Sequence, residues 1–281
     1  MQGVALVIAA EAVLVGTGVL IRILADTLPI PQLVFLRNAL GLLWMLPLVV
    51  GFNRAGSSGI SLSTQRIHLH FLRALVGVSA MSCLYYGWTH LPLGTAALLK
   101  QAAPLFMPLL ALWFLRERIS PILKWSLPIG FVGVFLVLNP IHSGFQWAVL
   151  IGLIGAVLSA LAKIVVRKMK DTEPSRRIVF YFSLFAAMLS APVALNDWRV
   201  LSTHEWAGVI AVAALSTLAQ LSITRAYHNA PAGYLGPFTY SSVIIATLVG
   251  WFLWDETLDT ITLMGMILIV IGGVLTVRSK A

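Results

Sequence analysis

Ten apolar runs follow one another along this chain, with only short polar stretches between them. A bilayer core of roughly 30 Å takes about 20 helical residues. The runs at 3–24, 32–51, 70–90, 93–115, 121–139, 146–166, 178–196, 206–227, 232–254 and 260–277 approach that length. Only 10% of the 281 residues are charged, against roughly 25% in a soluble globular chain. The first run begins close to Met1 and contains Glu11. Without a basic start or a small-residue cleavage site it reads as a span rather than a signal peptide. In lipid, a helix satisfies its own backbone polar groups. The pattern therefore predicts an all-α integral membrane protein of ten transmembrane helices.

The formal charge of +9 falls mostly in loops, which excludes a nucleic-acid reading and points to orientation instead. One set of loops and the C-terminal tail hold Arg54, Arg66, Arg116, Arg118, Lys124, Arg167, Lys168, Lys170, Arg176, Arg177, Arg278 and Lys280. The alternate loops hold Arg199 alone among basic residues, with Asp26, Asp197, Glu205, Asp255, Glu256 and Asp259. Lys and Arg are retained on the cytoplasmic side. Both termini are accordingly expected in the cytoplasm of a cell bounded by this inner membrane. We refer below to the basic end and the acidic end.

The chain also matches itself. A shift of 139 residues lays "HLPLGTAALLKQAAPLFMPLLALWFLRERI" on "NAPAGYLGPFTYSSVIIATLVGWFLWDETL", pairing Pro92 with Pro231, Gly94 with Gly233 and Glu117 with Glu256. Five spans per half is an odd number, so the second half enters the membrane inverted. The loops agree: "RERIS" is basic where its counterpart "WDETLD" is acidic. The expected organisation is a first repeat at 1–140 and a second, inverted one at 141–281, around a central cavity. Inverted repeats are a transporter architecture, with the substrate site near the midplane.

The two five-span halves, the stretch "YYGWTHLPLGTAALLKQAAPLFMPLLALWFLRERI" and the closing "GMILIVIGGVLTVRSK" resemble the drug/metabolite transporter superfamily, specifically its EamA-like branch. The resemblance covers essentially the whole chain. It implies alternating access, small-metabolite transport that is often outward, and spans 5 and 10 at the periphery. Four-span multidrug members of the superfamily use a first-span glutamate for proton and cation exchange.

Ionisable groups at mid-depth mark function by default, because lipid will not tolerate them without a partner. Glu11 in span 1 is a candidate proton carrier or substrate ligand; its structural alternative is a fixed pair with Lys100. Lys100 and Gln101 in span 4 match Thr239 and Tyr240 in span 9 under the 139-residue shift. Together they would surround one substrate with an ammonium, an amide, a hydroxyl and a phenol. Arg37 and Asn38 in span 2, Tyr85 in span 3 and Gln220 in span 8 complete the candidate set, each with a packing or interhelical role as its alternative. Lys163 reads as a snorkelling anchor. The six histidines sit at span ends or in loops, and no metal site or cofactor is expected. No Walker-type glycine loop is present, so no ATP-driven motor resides here.

The composite expectation is a secondary transporter, most naturally an exporter, of a small zwitterionic or anionic metabolite such as an amino acid or carboxylated compound. Its partners would be that small molecule and bilayer lipid, with no nucleic acid; a homodimer is compatible with it. A proton-coupled cation or multidrug antiporter working through Glu11 is the alternative. A lipid enzyme would need a nucleophile, base or metal cluster near an interface, and none is evident. A structural scaffold leaves the deep charges without a purpose.

Overall fold

The computed structural model describes residues 2–50, 62–115, 121–138, 147–169, 172–229 and 236–278. Helices α1 (Gln2–Ala25), α2 (Ile30–Val50) and α3 (Ile67–His90) form the first three spans. The fourth is split into α4 (Leu93–Gln101) and α5 (Ala103–Leu115). Next come α6 (Leu123–Leu138), α7 (Trp147–Met169), α8 (Ser175–Leu195) and α9 (Thr203–Asn229). The ninth span is a 3₁₀ turn (Gly236–Tyr240) continued by α10 (Ser241–Trp254), and α11 (Thr260–Arg278) is the tenth. The protein is an all-α, multi-pass membrane protein of ten spans. Among them, stretches of α1, α3, α7 and α8 are each long and apolar enough to cross a bilayer unaided.

Two spans expected as continuous helices are interrupted. In the fourth, Pro104 has no N–H to give the Lys100 carbonyl, so the α-helical ladder fails there. The chain tightens instead: Ala102 N–H bonds the Leu99 carbonyl at 3.1 Å and Leu105 N–H bonds that of Ala102 at 2.9 Å. In the ninth, Gly236 and Pro237 open the 3₁₀ turn. α4 ends at Gln101 and the 3₁₀ turn at Tyr240, positions aligned by the 139-residue shift.

Each of the main helix pairings joins an early helix to a late one: α1 with α9, α2 with α8, α3 with α7, α4 with α10, and α6 with α11. The last pair is held by glycine. A Cβ on Gly133 would lie 2.7 Å from the Gly265 carbonyl, and one on Gly272 would lie 2.7 Å from the Gly130 backbone. Side chains larger than hydrogen would force these backbones apart. Large apolar side chains such as Trp113, Trp125 and Phe252 face outward, as a surface solvated by lipid requires.

The two ends are tied differently. At the acidic end, buried Gln32 donates to the Arg199 carbonyl at 2.7 Å and accepts from the Arg199 N–H at 3.2 Å. Glu256 pairs with Arg22 of α1 and accepts the Leu93 N–H at the start of α4 at 2.7 Å. Arg22 also lies over the Trp254 ring, 4.4 Å from its centroid. Close by, a Cβ on Gly94 would stand 2.1 Å from the Thr247 hydroxyl, so α4 and α10 touch at backbone distance. At the basic end, Glu173 accepts from the Thr64 hydroxyl at 2.6 Å and from Arg177 at 2.9 Å, with His70 Nε2 at 3.4 Å. Burial pushes the Glu173 carboxyl up, but hydrogen bonds from Thr64, Arg177 and His70 outweigh it and hold the group below its usual range.

Candidate functional site

The helix break in span 4 places the functional groups. Because α4 stops at Gln101, the last two side chains of α4 sit beside an interruption rather than inside a continuous ladder. Lys100 Nζ donates to Glu11 Oε2 at 3.1 Å. Gln101 Nε2 lies 3.2 Å from the same oxygen, 3.0 Å from the Thr239 carbonyl and 3.1 Å from the Ser242 hydroxyl. The Ser242 hydroxyl donates in turn to the Thr239 carbonyl at 2.8 Å. Tyr240 donates its phenolic proton to the Gln101 carbonyl at 3.2 Å, taking up an acceptor near the break. Its hydroxyl occupies the volume a Cβ on Gly273 would need. Spans 1, 4, 9 and 10 thus meet at one buried polar knot.

Exposure within the knot is uneven. The Glu11 side chain is 4% exposed and that of Lys100 24%. A narrow cleft reaches Lys100 past Cys83, Gly152, Gly155 and Ser159. A second, narrower still, reaches it past Val15, Ala97 and Ser242. Lys100 is therefore the more accessible member of the pair, with Glu11 behind it.

The remaining sequence candidates lie elsewhere. Arg37 donates to Asn38 Oδ1 at 2.9 Å, and Asn38 donates back to the Val34 carbonyl at 2.8 Å. Tyr85 is buried, its ring 5.7 Å from that of Trp88. Trp88 packs so tightly that a Cβ on Gly18 would come within 3.0 Å of it. Gln220 lies on α9, but its side chain is outside the described residues. Among the described residues no three His, Cys, Asp or Glu side chains converge as a metal would need.

Sequence reasoning missed Arg73, nearly two turns into α3. Its guanidinium stacks over the Phe182 ring of α8, 4.3 Å from the centroid, and nestles where a Cβ on Gly77 would stand. Nε and Nη1 are buried without a hydrogen-bond partner. Arg37 is the charged neighbour that acts on it. Lys163, exposed on α7, lies within electrostatic range of Lys100, Glu11 and Arg73.

A ten-span bundle with two interrupted helices and a buried ion pair at the interruption defines the class: a polytopic membrane transporter, not an enzyme. The chain belongs to the EamA-like transporter family, whose pattern matches residues 1–139 and again 146–278. It is 29% identical over 281 residues to the pseudopaline exporter CntI of Pseudomonas aeruginosa, covering 99% of this chain and 97% of that one. It is 28% identical over 241 residues to the S-adenosylmethionine uptake transporter of Rickettsia conorii, covering 85% and 80%. A solved crystal structure shares the fold with a TM-score of 0.64 at 18% identity, over 97% of this chain and 94% of the other. The substrates of this protein are small molecules.

Proposed function

We propose that the protein exports a small zwitterionic or anionic metabolite by alternating access about two inverted halves, residues 1–140 and 141–281. The observation that carries this reading is the Glu11–Lys100–Gln101 knot, built where spans 4 and 9 are both interrupted. A buried carboxylate beside a more accessible ammonium offers both signs of charge, which a zwitterion needs and an apolar compound does not. Two features support the inverted halves: the family pattern matches each half separately, and the interruptions are one repeat length apart. Glu11, Lys100, Gln101 and Thr239 form the centre of this site, with Ser242 added. Tyr240 supports it through the Gln101 carbonyl, and Arg37, Asn38, Tyr85 and Gln220 are assigned to substrate contacts away from this centre.

Export is favoured by the relative matched over nearly its whole length, which carries a metabolite outward. The basic loops favour cytoplasmic termini in a bacterial inner membrane. With Cys83 changed to serine, a cysteine at Thr257 should react with an impermeant external reagent and one at Ser57 should not. The reverse pattern would overturn the orientation. Glu11 is the group assigned to proton coupling. A cation antiporter through Glu11 is the second reading. Deep burial of Glu11 favours it, and the cations around Glu11 weigh against it.

The test is flux into proteoliposomes, screened over amino acids, carboxylated metabolites and organic cations, with and without a pH gradient. The reading expects uptake of zwitterions or anions, driven by the gradient in the wild type, undriven in Glu11→Gln and strongly weakened in Lys100→Met. Uptake confined to organic cations would sink it.

A further inference from the structure

Arg73 poses a problem that its neighbours leave unsolved. Removing a cation from water costs several kcal/mol even after relaxation. A face-on aromatic ring returns only a part of that when the pair is desolvated. Phe182 therefore offsets only part of the cost, and the nearby charge is another cation, Arg37. Lys163 adds a third, in range of both Arg73 and Lys100. From Lys100 to Arg37 this side of the bundle carries four cations, Lys100, Lys163, Arg73 and Arg37, and the carboxylate hydrogen-bonded among them is Glu11. Lys163 is exposed, so the cost falls on the buried, unpartnered nitrogens of Arg73, and an anion beside them would relieve it.

Resting on the transport reading above, we infer that Arg73, with Lys163 nearby, forms a second anion subsite toward the basic end, and that the substrate carries two or more anionic groups. Lys100 takes one group and Arg73 the other. Ser159 lines the cleft to Lys100, and Lys163 follows it by one helical turn on the same helix, a rise of about 6 Å. A planar guanidinium suits a carboxylate or phosphate in a two-pronged grip that an ammonium cannot reproduce.

The test uses purified full-length protein in detergent, with acetate, succinate, citrate and inorganic phosphate as probes at matched ionic strength. Binding is read by thermal shift and titration calorimetry. The wild type should bind succinate and citrate at least tenfold more tightly than acetate. Arg73→Met should remove that advantage, a loss of roughly tenfold to a hundredfold. Lys100→Met should weaken acetate and succinate alike. If Arg73→Met does not give monodisperse protein, Arg73→Lys carries the test, and a loss of tenfold or more in the succinate advantage is expected. Equal binding of acetate and succinate in the wild type overturns the inference, as does an undiminished advantage in the arginine variant. Sensitivity to Lys100→Met without sensitivity at Arg73 would leave the transport reading standing and this one refuted. Phosphate outcompeting citrate through Arg73 would support the subsite and assign it to phosphorylated rather than carboxylated substrates.

Discussion

Removing the two ends of the Glu11–Lys100 pair separately and together should reveal a strongly coupled unit. In Lys100→Met the carboxylate, 4% exposed, keeps Gln101 as its donor. Breaking a buried pair in this way costs ~3–5 kcal/mol. In Glu11→Gln the ammonium loses its counter-charge, but Lys100 is 24% exposed and can be hydrated through the clefts. Gln101 also keeps an acceptor at position 11. The loss should be smaller, ~1.5–3 kcal/mol, the worth of one hydrogen bond to a charged group. The double variant buries no unpaired charge, so it should be about as stable as the milder single variant. The coupling energy then equals the larger single loss, ~3–5 kcal/mol, at or above the top of the ~0.5–3 kcal/mol range of contacting residues. Chemical unfolding in mixed micelles measures each corner of the cycle. Single-variant losses that add to within ~0.3–0.5 kcal/mol would show that the two groups do not depend on each other, and the site as drawn would be wrong.

Gly94→Val should wedge α4 from α10, because its Cβ would meet the Thr247 hydroxyl at 2.1 Å and the Thr247 Cα at 3.1 Å. Such overpacking costs ~1–3 kcal/mol, and Thr247→Gly should restore much of the lost thermal stability; no rescue would place the strain elsewhere. Tyr240→Phe removes the donor to the Gln101 carbonyl and should cost ~1–3 kcal/mol as an unsatisfied buried acceptor, read as a lowered unfolding free energy. Glu173 is held below its ordinary pKa of 4.5, so its contribution is complete above that value and is lost as pH falls toward the depressed one. Glu173→Gln should therefore flatten the acid limb of a melting-temperature profile; an unchanged limb would assign acid sensitivity to other carboxylates.

Ten spans were legible because lipid leaves few alternatives: an apolar run of that length must be helical. Span starts were less so. α3 begins at Ile67 and α8 at Ser175, each three residues before the expected start, since polar first turns carry no apolar signal. The break in span 4 had a sequence signal in Pro104, whose missing N–H frees the Lys100 carbonyl. The Lys100–Glu11 contact was legible as the structural alternative, because two deep opposite charges must find each other. Arg73 was not. It stands within two turns of a basic loop, where an arginine looks like an anchor, and the ring beneath it belongs to α8, more than a hundred residues away. The seat of the Tyr240 phenol at Gly273 was equally hidden, as a glycine in an apolar helix gives no hint of what fills its vacancy.

The Gln101 amide has two hydrogens and three acceptors within reach. The count decides how the knot is wired. Thr239 already receives a hydrogen from Ser242, so it is the acceptor that can go without at least cost. The amide's hydrogens then go to Glu11 and to the Ser242 oxygen, and the serine hydroxyl passes the connection on to Thr239. Ser242 is thereby a relay whose loss the amide can repair by reaching Thr239 directly. Gln101 has no such deputy. One primary amide joins the first span to the ninth, and a serine at position 242 is a convenience while a glutamine at position 101 is a requirement.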